Sequence, residues 1–62
     1  MDITSPGFGQ KEIRMSDEEL RIICNCVNEA CNGLSIPDFR IRVGAEREEA
    51  ESMLAKLLSA LG

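Results

Sequence analysis

The stretch from Ser16 to Leu34, SDEELRIICNCVNEACNGL, constrains this chain most, because it carries a start signal, a stop signal and a wide apolar surface between them. Ser16-Asp17-Glu18-Glu19 is a capping box. The serine hydroxyl can accept from the amide of Glu19 while the Glu19 carboxylate accepts from the amide of Ser16. Met15 just before the cap and Leu20 at the fourth helical position can close over it as a hydrophobic staple. Asp17, Glu18 and Glu19 put negative charge at the positive end of the helix dipole. Asn32-Gly33 supplies the stop, with Gly33 expected in the left-handed conformation that ends a helix.

At about 100° per residue, Leu20, Ile23, Cys24, Val27, Cys31 and, past the turn, Leu34 form one buried stripe. Ile22, Cys26 and Ala30 form a second stripe beside it. Together they widen the apolar arc to roughly 200°, about twice that of a one-sided surface helix. One intramolecular neighbour cannot cover so much surface, so Ile22, Cys26 and Ala30 are the expected interface of a homodimer.

The segments before this helix read as an arm. Pro6, Gly7 and Gly9 fall within four positions and interrupt regular structure. Residues 11 to 15, KEIRM, alternate like a short strand, but an extended lead-in that delivers Met15 to the staple is the preferred reading. Residues 1–15 are therefore expected to be a flexible arm with an extended lead-in, and residues 16–62 a single helical domain.

After Gly33, Pro37 sets its own backbone and pushes Ile36 out of the helical region, which marks a connector. Phe39-Arg40-Ile41-Arg42-Val43 alternates as a half-buried strand would, yet Ile36, Phe39 and Val43 also stand at helical spacing. A helix of about two turns over 37–43 is favoured. From Ala45 to Leu61 the pattern is plainer: Ala50, Met53, Leu54, Leu57 and Leu61 make the apolar stripe of a third helix, with Glu46, Glu48 and Glu49 loading its first turn. The expected fold is all-α: two longer antiparallel helices joined by a short helix or turn, paired into a dimeric helical bundle.

Composition bounds the chemistry. A 62-residue chain makes one marginal domain, and two phenylalanines as its only aromatics require an aliphatic core. Histidine is absent, which removes the commonest general base and a leading metal ligand. Catalysis is not expected. Glu46, Glu48, Glu49 and Glu51 read as a solvated helix start, and PGFGQ lacks the residues of a phosphate loop. Cys24 and Cys26 point about 200° apart on a helix, and Cys24 and Cys31 stand roughly 10 Å apart along it, so no pair can share a metal or close a disulfide. The three cysteines are expected to be small buried apolar side chains, and no cofactor or metal is expected. No apolar run reaches the roughly 18 residues of a membrane helix, and the N-terminal residues do not read as a signal peptide. With three cysteines the expected location is the cytoplasm.

Arg40, Arg42 and Arg47 concentrate positive charge in a chain of net charge −4. Together with Ile41 they form the expected partner surface of a non-enzymatic interaction or regulatory module. The alternative is a DNA-binding regulator. A short helix, a glycine turn and a helix beginning REEAESML have the outline of a helix-turn-helix, but its glutamates would face phosphates. A ribbon-helix-helix, with KEIRM pairing across a dimer axis, is disfavoured by the connector at Pro37. Nucleic acid is accordingly the less expected partner.

Asn28-Glu29-Ala30-Cys31-Asn32-Gly33, then Ile36-Pro37-Asp38-Phe39, then Arg42-Val43-Gly44 and a leucine-rich amphipathic end resemble a group of short bacterial proteins of unknown function. The resemblance covers about residues 16 to 60. In that group the position of Ile41 tends to be polar, which implies a helical turn at 39–43 and an exposed Ile41. The resemblance implies no activity.

Overall fold

The computed structural model describes residues 1–61. It contains β1 (Asp2–Gly7), β2 (Gln10–Arg14), α1 (Asp17–Asn28), a π-helical turn continuing α1 (Glu29–Gly33), α2 (Phe39–Val43) and α3 (Arg47–Ala60). The fold is therefore α+β, and the all-α expectation is corrected at the N-terminus. In place of a loose arm, β1 and β2 pair antiparallel, with Asp2 opposite Arg14, Ile3 opposite Ile13 and Thr4 opposite Glu12. The residues that looked disruptive build the hairpin. Phe8 and Gly9 are its two-residue loop, and both have positive φ, 56° and 73°. That is the mirror-image geometry whose twist matches two right-twisted strands. Pro6 sits in an edge strand, where its missing N–H is tolerated, and the register shifts between Thr4 and Gly7.

α1 starts as its sequence dictates. The Ser16 amide donates to Glu19 Oε1 at 3.0 Å, and the Glu19 amide donates to Ser16 Oγ at 3.1 Å. The Met1 ammonium lies 3.1 Å from Glu19 Oε2, tying the first strand to the helix start. These contacts hold the Glu19 carboxyl below its ordinary range, the Ser16 amide foremost and the terminal ammonium next. Met15 packs on Leu20 as the staple requires.

The end of α1 departs from expectation. Gly33 is not left-handed; the helix widens into a π turn in which the Leu34 amide donates to the Glu29 carbonyl at 2.9 Å. Leu34 is extended at φ −120° and exposed, so it drops out of the predicted buried stripe. A Cβ at Gly33 would meet only the carboxylate of the exposed Glu29, the mobile end of a flexible side chain that can turn aside.

α2 is a helix, as favoured, but it starts at Phe39 because Pro37 and Asp38 form a turn that leaves Asp38 left-handed at φ 53°. Gly44, at φ 91°, closes it and allows the reversal into α3.

α3 returns antiparallel to α1, and two small clusters make the core. Leu20, Cys24 and Leu54 form one, with Met15, Val27, Leu57 and Leu61 against it. Cys31, Phe39 and Ala50 form the other, with Val27, Ala30 and Ile36 against it. Val27 joins the two. Cys24 and Cys31 serve as the compact fillers expected of all three cysteines, at 2% and 4% exposure, but Cys26 does not, being exposed on the side of α1 turned from both clusters. Met53 was expected in the α3 core stripe; it is 60% exposed, because α3 turns that side toward an open groove. Among the described residues no helix is long and apolar enough to cross a membrane.

Candidate interaction surface

The folded chain exposes more surface than its mass requires. A folded monomer of this mass, 6.8 kDa, exposes about 3950 Å². This chain exposes 5027 Å². The excess is about 1000 Å², more than the roughly 800 Å² that each partner of a standard interface buries. The shape has the same cause. The molecule measures 34 × 28 × 16 Å, so its thin dimension is hardly more than one helix with its side chains, about 10–12 Å. Its radius of gyration is 12.9 Å, against about 10.6 Å for a compact domain of this length. Stable domains stack at least two layers around a core. Here α1 and α3 pack side by side, α2 covers one end of them through Phe39, and the hairpin projects beside them.

An apolar groove of about 330 Å³ is lined by Cys26, Val27, Ala30, Phe39, Val43, Ala45, Ala50 and Met53. Every lining side chain is apolar or a thiol. α1 contributes Cys26 and the π turn that continues it contributes Ala30, and Ile22 extends the same row toward the start of α1 at 59% exposure. Ala30 is half-buried against the second core cluster, whereas Cys26 is an exposed free thiol. The expected row of Ile22, Cys26 and Ala30 is therefore a single rim. Its opposite bank is Val43 of α2 and Met53 of α3. Those two residues join the surface only because the chain folds back at Gly44, so the spacing along one helix could not reveal them.

The four residues expected to form a partner surface separate into two groups. Arg47 turns inward: its guanidinium donates to the Cys31 carbonyl and lies 4.5 Å from the centre of the Phe39 ring. It satisfies a carbonyl of the π turn that ends α1 and clamps three elements together. Arg40 and Arg42 remain exposed on α2, with Arg40 Nε 3.8 Å from a Glu46 carboxylate oxygen. Ile41, between them, is 82% exposed. Since Phe39 and Val43 face the groove, the two arginines flank it and Ile41 points away from it.

The hairpin offers a second surface. Ile3 and Ile13 are cross-strand partners; Asp2, Thr4, Glu12, Ile13 and Arg14 line an open recess of about 440 Å³ of mixed polar and apolar character. Phe8 stands fully exposed at the tip. Among the described residues, no group of three His, Cys, Asp or Glu side chains is placed to hold a metal ion. No protein-family model, curated protein or solved structure matches the chain.

Proposed function

We propose that this chain is a non-enzymatic interaction or regulatory module that works as a homodimer. The observation that carries this is the apolar groove beside α1, where Cys26, Val43 and Met53 are exposed and Ile22 extends the row, on a chain that exposes about 1000 Å² more than a folded monomer of its mass. Each apolar square ångström removed from water is worth about 25 cal/mol, so a face of this kind stabilises association before any polar contact is made. A small chain has particular use for it, because its internal core holds only six buried side chains among the described residues. Arg40 and Arg42 supply charge at the rim, and Ile41 is a further contact for a protein partner. The DNA-binding alternative loses support, since Arg47 is engaged inside the fold and Arg40 lies beside the Glu46 carboxylate. Sedimentation velocity at micromolar concentration is the test: a dimer is expected, and a stable monomer refutes the proposal.

A further inference from the structure

We infer that the free edge of β2 pairs antiparallel with β2 of a second copy of this chain, about a two-fold axis through Ile13, so that two hairpins make one four-stranded sheet. The contact uses none of the groove residues and depends on the hairpin alone.

Every residue of both strands is exposed, and none belongs to either core cluster. A lone two-stranded hairpin is marginal in water, and further strands stabilise it. Its two outer edges are unequal. β1 is blunted by Pro6 and by the register shift between Thr4 and Gly7, features that keep an edge from pairing. β2 is regular throughout. Gly7 and Gln10 close the two-residue loop as a hydrogen-bonded pair, and the alternation from there turns the N–H and C=O of Gln10, Glu12 and Arg14 toward β1 and those of Lys11 and Ile13 outward. Just beyond, the N–H and C=O of Met15 enter no backbone hydrogen bond among the described residues.

Charge sets the register. Facing residues share a side of the sheet, so the axis passes through a residue rather than between two. At Glu12 it would set Glu12 against its own copy, at Lys11 or Arg14 it would bring two cations together, and at Gln10 the overlap would run into the turn. At Ile13 it sets Glu12 opposite the partner's Arg14 and Arg14 opposite the partner's Glu12. Among the described residues neither side chain has an ion pair within its own chain. Each charged row then runs Asp2, Arg14, the partner's Glu12, the partner's Thr4, with opposite charges directly across the new seam. On the other side Ile3 and Ile13 meet the partner's Ile13 and Ile3 in an unbroken apolar row. Ile13 and its copy exchange two backbone hydrogen bonds, and Lys11 falls at the outer end of the overlap, opposite the partner's Met15. A parallel pairing would instead stack each charge on its own copy.

The test uses the full chain with Ile13→Cys, oxidised by diamide, which takes up the two thiol hydrogens as the disulfide forms. Facing Cα atoms of a hydrogen-bonded pair lie about 5.5 Å apart, within the span of a disulfide, whereas Ile3 and its copy stand three strand spacings, about 14 Å, apart. Ile13→Cys chains are expected to crosslink at position 13 and Ile3→Cys chains not at position 3; digestion and mass spectrometry separate these bonds from any through the exposed Cys26. Adding Glu12→Arg to Ile13→Cys is expected to slow the crosslink about tenfold, and so is adding Arg14→Glu, since each sets like charges across the seam at two places. Mixing the two double variants should restore the rate to within about threefold, because the reversed charges then match, and recovery also shows that neither hairpin is damaged. No crosslink at position 13, charge reversals without effect, or no recovery on mixing overturns the pairing. Sedimentation of the same chains separates the two readings: a dimer that never bonds at position 13 overturns this pairing and leaves the homodimer standing, whereas a stable monomer overturns both.

Discussion

Replacing Arg47 by methionine keeps the length of the aliphatic stem and removes the guanidinium. Two contacts are lost. The first is the charged hydrogen bond to the Cys31 carbonyl, of a type worth about 1.5–3 kcal/mol. The second is the stacking over Phe39 at 4.5 Å, worth about 0.5–1 kcal/mol at a half-exposed site. One group makes both, so they do not add fully, and the expected loss is about 2–3 kcal/mol. A chain of 62 residues has only about 3–9 kcal/mol to lose. At a urea dependence near 1 kcal/mol per molar, the unfolding midpoint should fall by about 2–3 M, measured at fixed protein concentration so that association does not shift it. Arg47→Lys should recover less than half, because an ammonium restores charge without the planar fork that reaches carbonyl and ring together. Phe39→Leu, alone and combined with Arg47→Met, isolates the stacking term by double-mutant cycle. If Arg47→Met unfolds within about 0.5 kcal/mol of wild type, a typical surface effect, the clamp described above is not a stabilising feature.

Three other outcomes are expected. Leu54→Ala removes the α3 contribution to the cluster with Leu20 and Cys24 and should cost about 3 kcal/mol; circular dichroism retaining most of its cooperative transition at an unchanged temperature would contradict that core. Phe8→Asn should stabilise the hairpin by about 1 kcal/mol, because Phe8 holds a left-handed backbone with its side chain in solvent; slower amide exchange across β1 and β2 is the readout, and faster exchange refutes the turn. Glu19 has a lowered folded pKa, so its contribution is complete above its unfolded pKa of about 4.3 and is lost as pH falls through the folded value. Glu19→Gln should therefore flatten the fall in stability between about pH 5 and 3, and denaturant titrations showing the wild-type slope unchanged would remove the capping box from the acid transition.

Local signals specified what one stretch of chain can decide by itself. Ser16 and Glu19 make their reciprocal bonds because both partners lie within one turn, and Pro37 interrupts the chain wherever it is placed. The spacing of Leu20, Cys24, Ala50 and Leu54 likewise located the two helices and the side each buries. Tertiary structure decided what depends on a second segment. Pro6, Gly7 and Gly9 mean disorder in isolation, and they became a hairpin only because Ile3 met Ile13 and Asp2 met Arg14 across it. Gly33 could have closed α1 in a left-handed turn, but the chain entered the connector through a widened π turn instead. Arg47 reads as surface charge until the reversal at Gly44 brings the Cys31 carbonyl and the Phe39 ring to its guanidinium. The row of Ile22, Cys26 and Ala30 is the intermediate case. Helical period alone sets it on one side of α1, but only the fold, by placing Val43 and Met53 across from it, makes that side a groove.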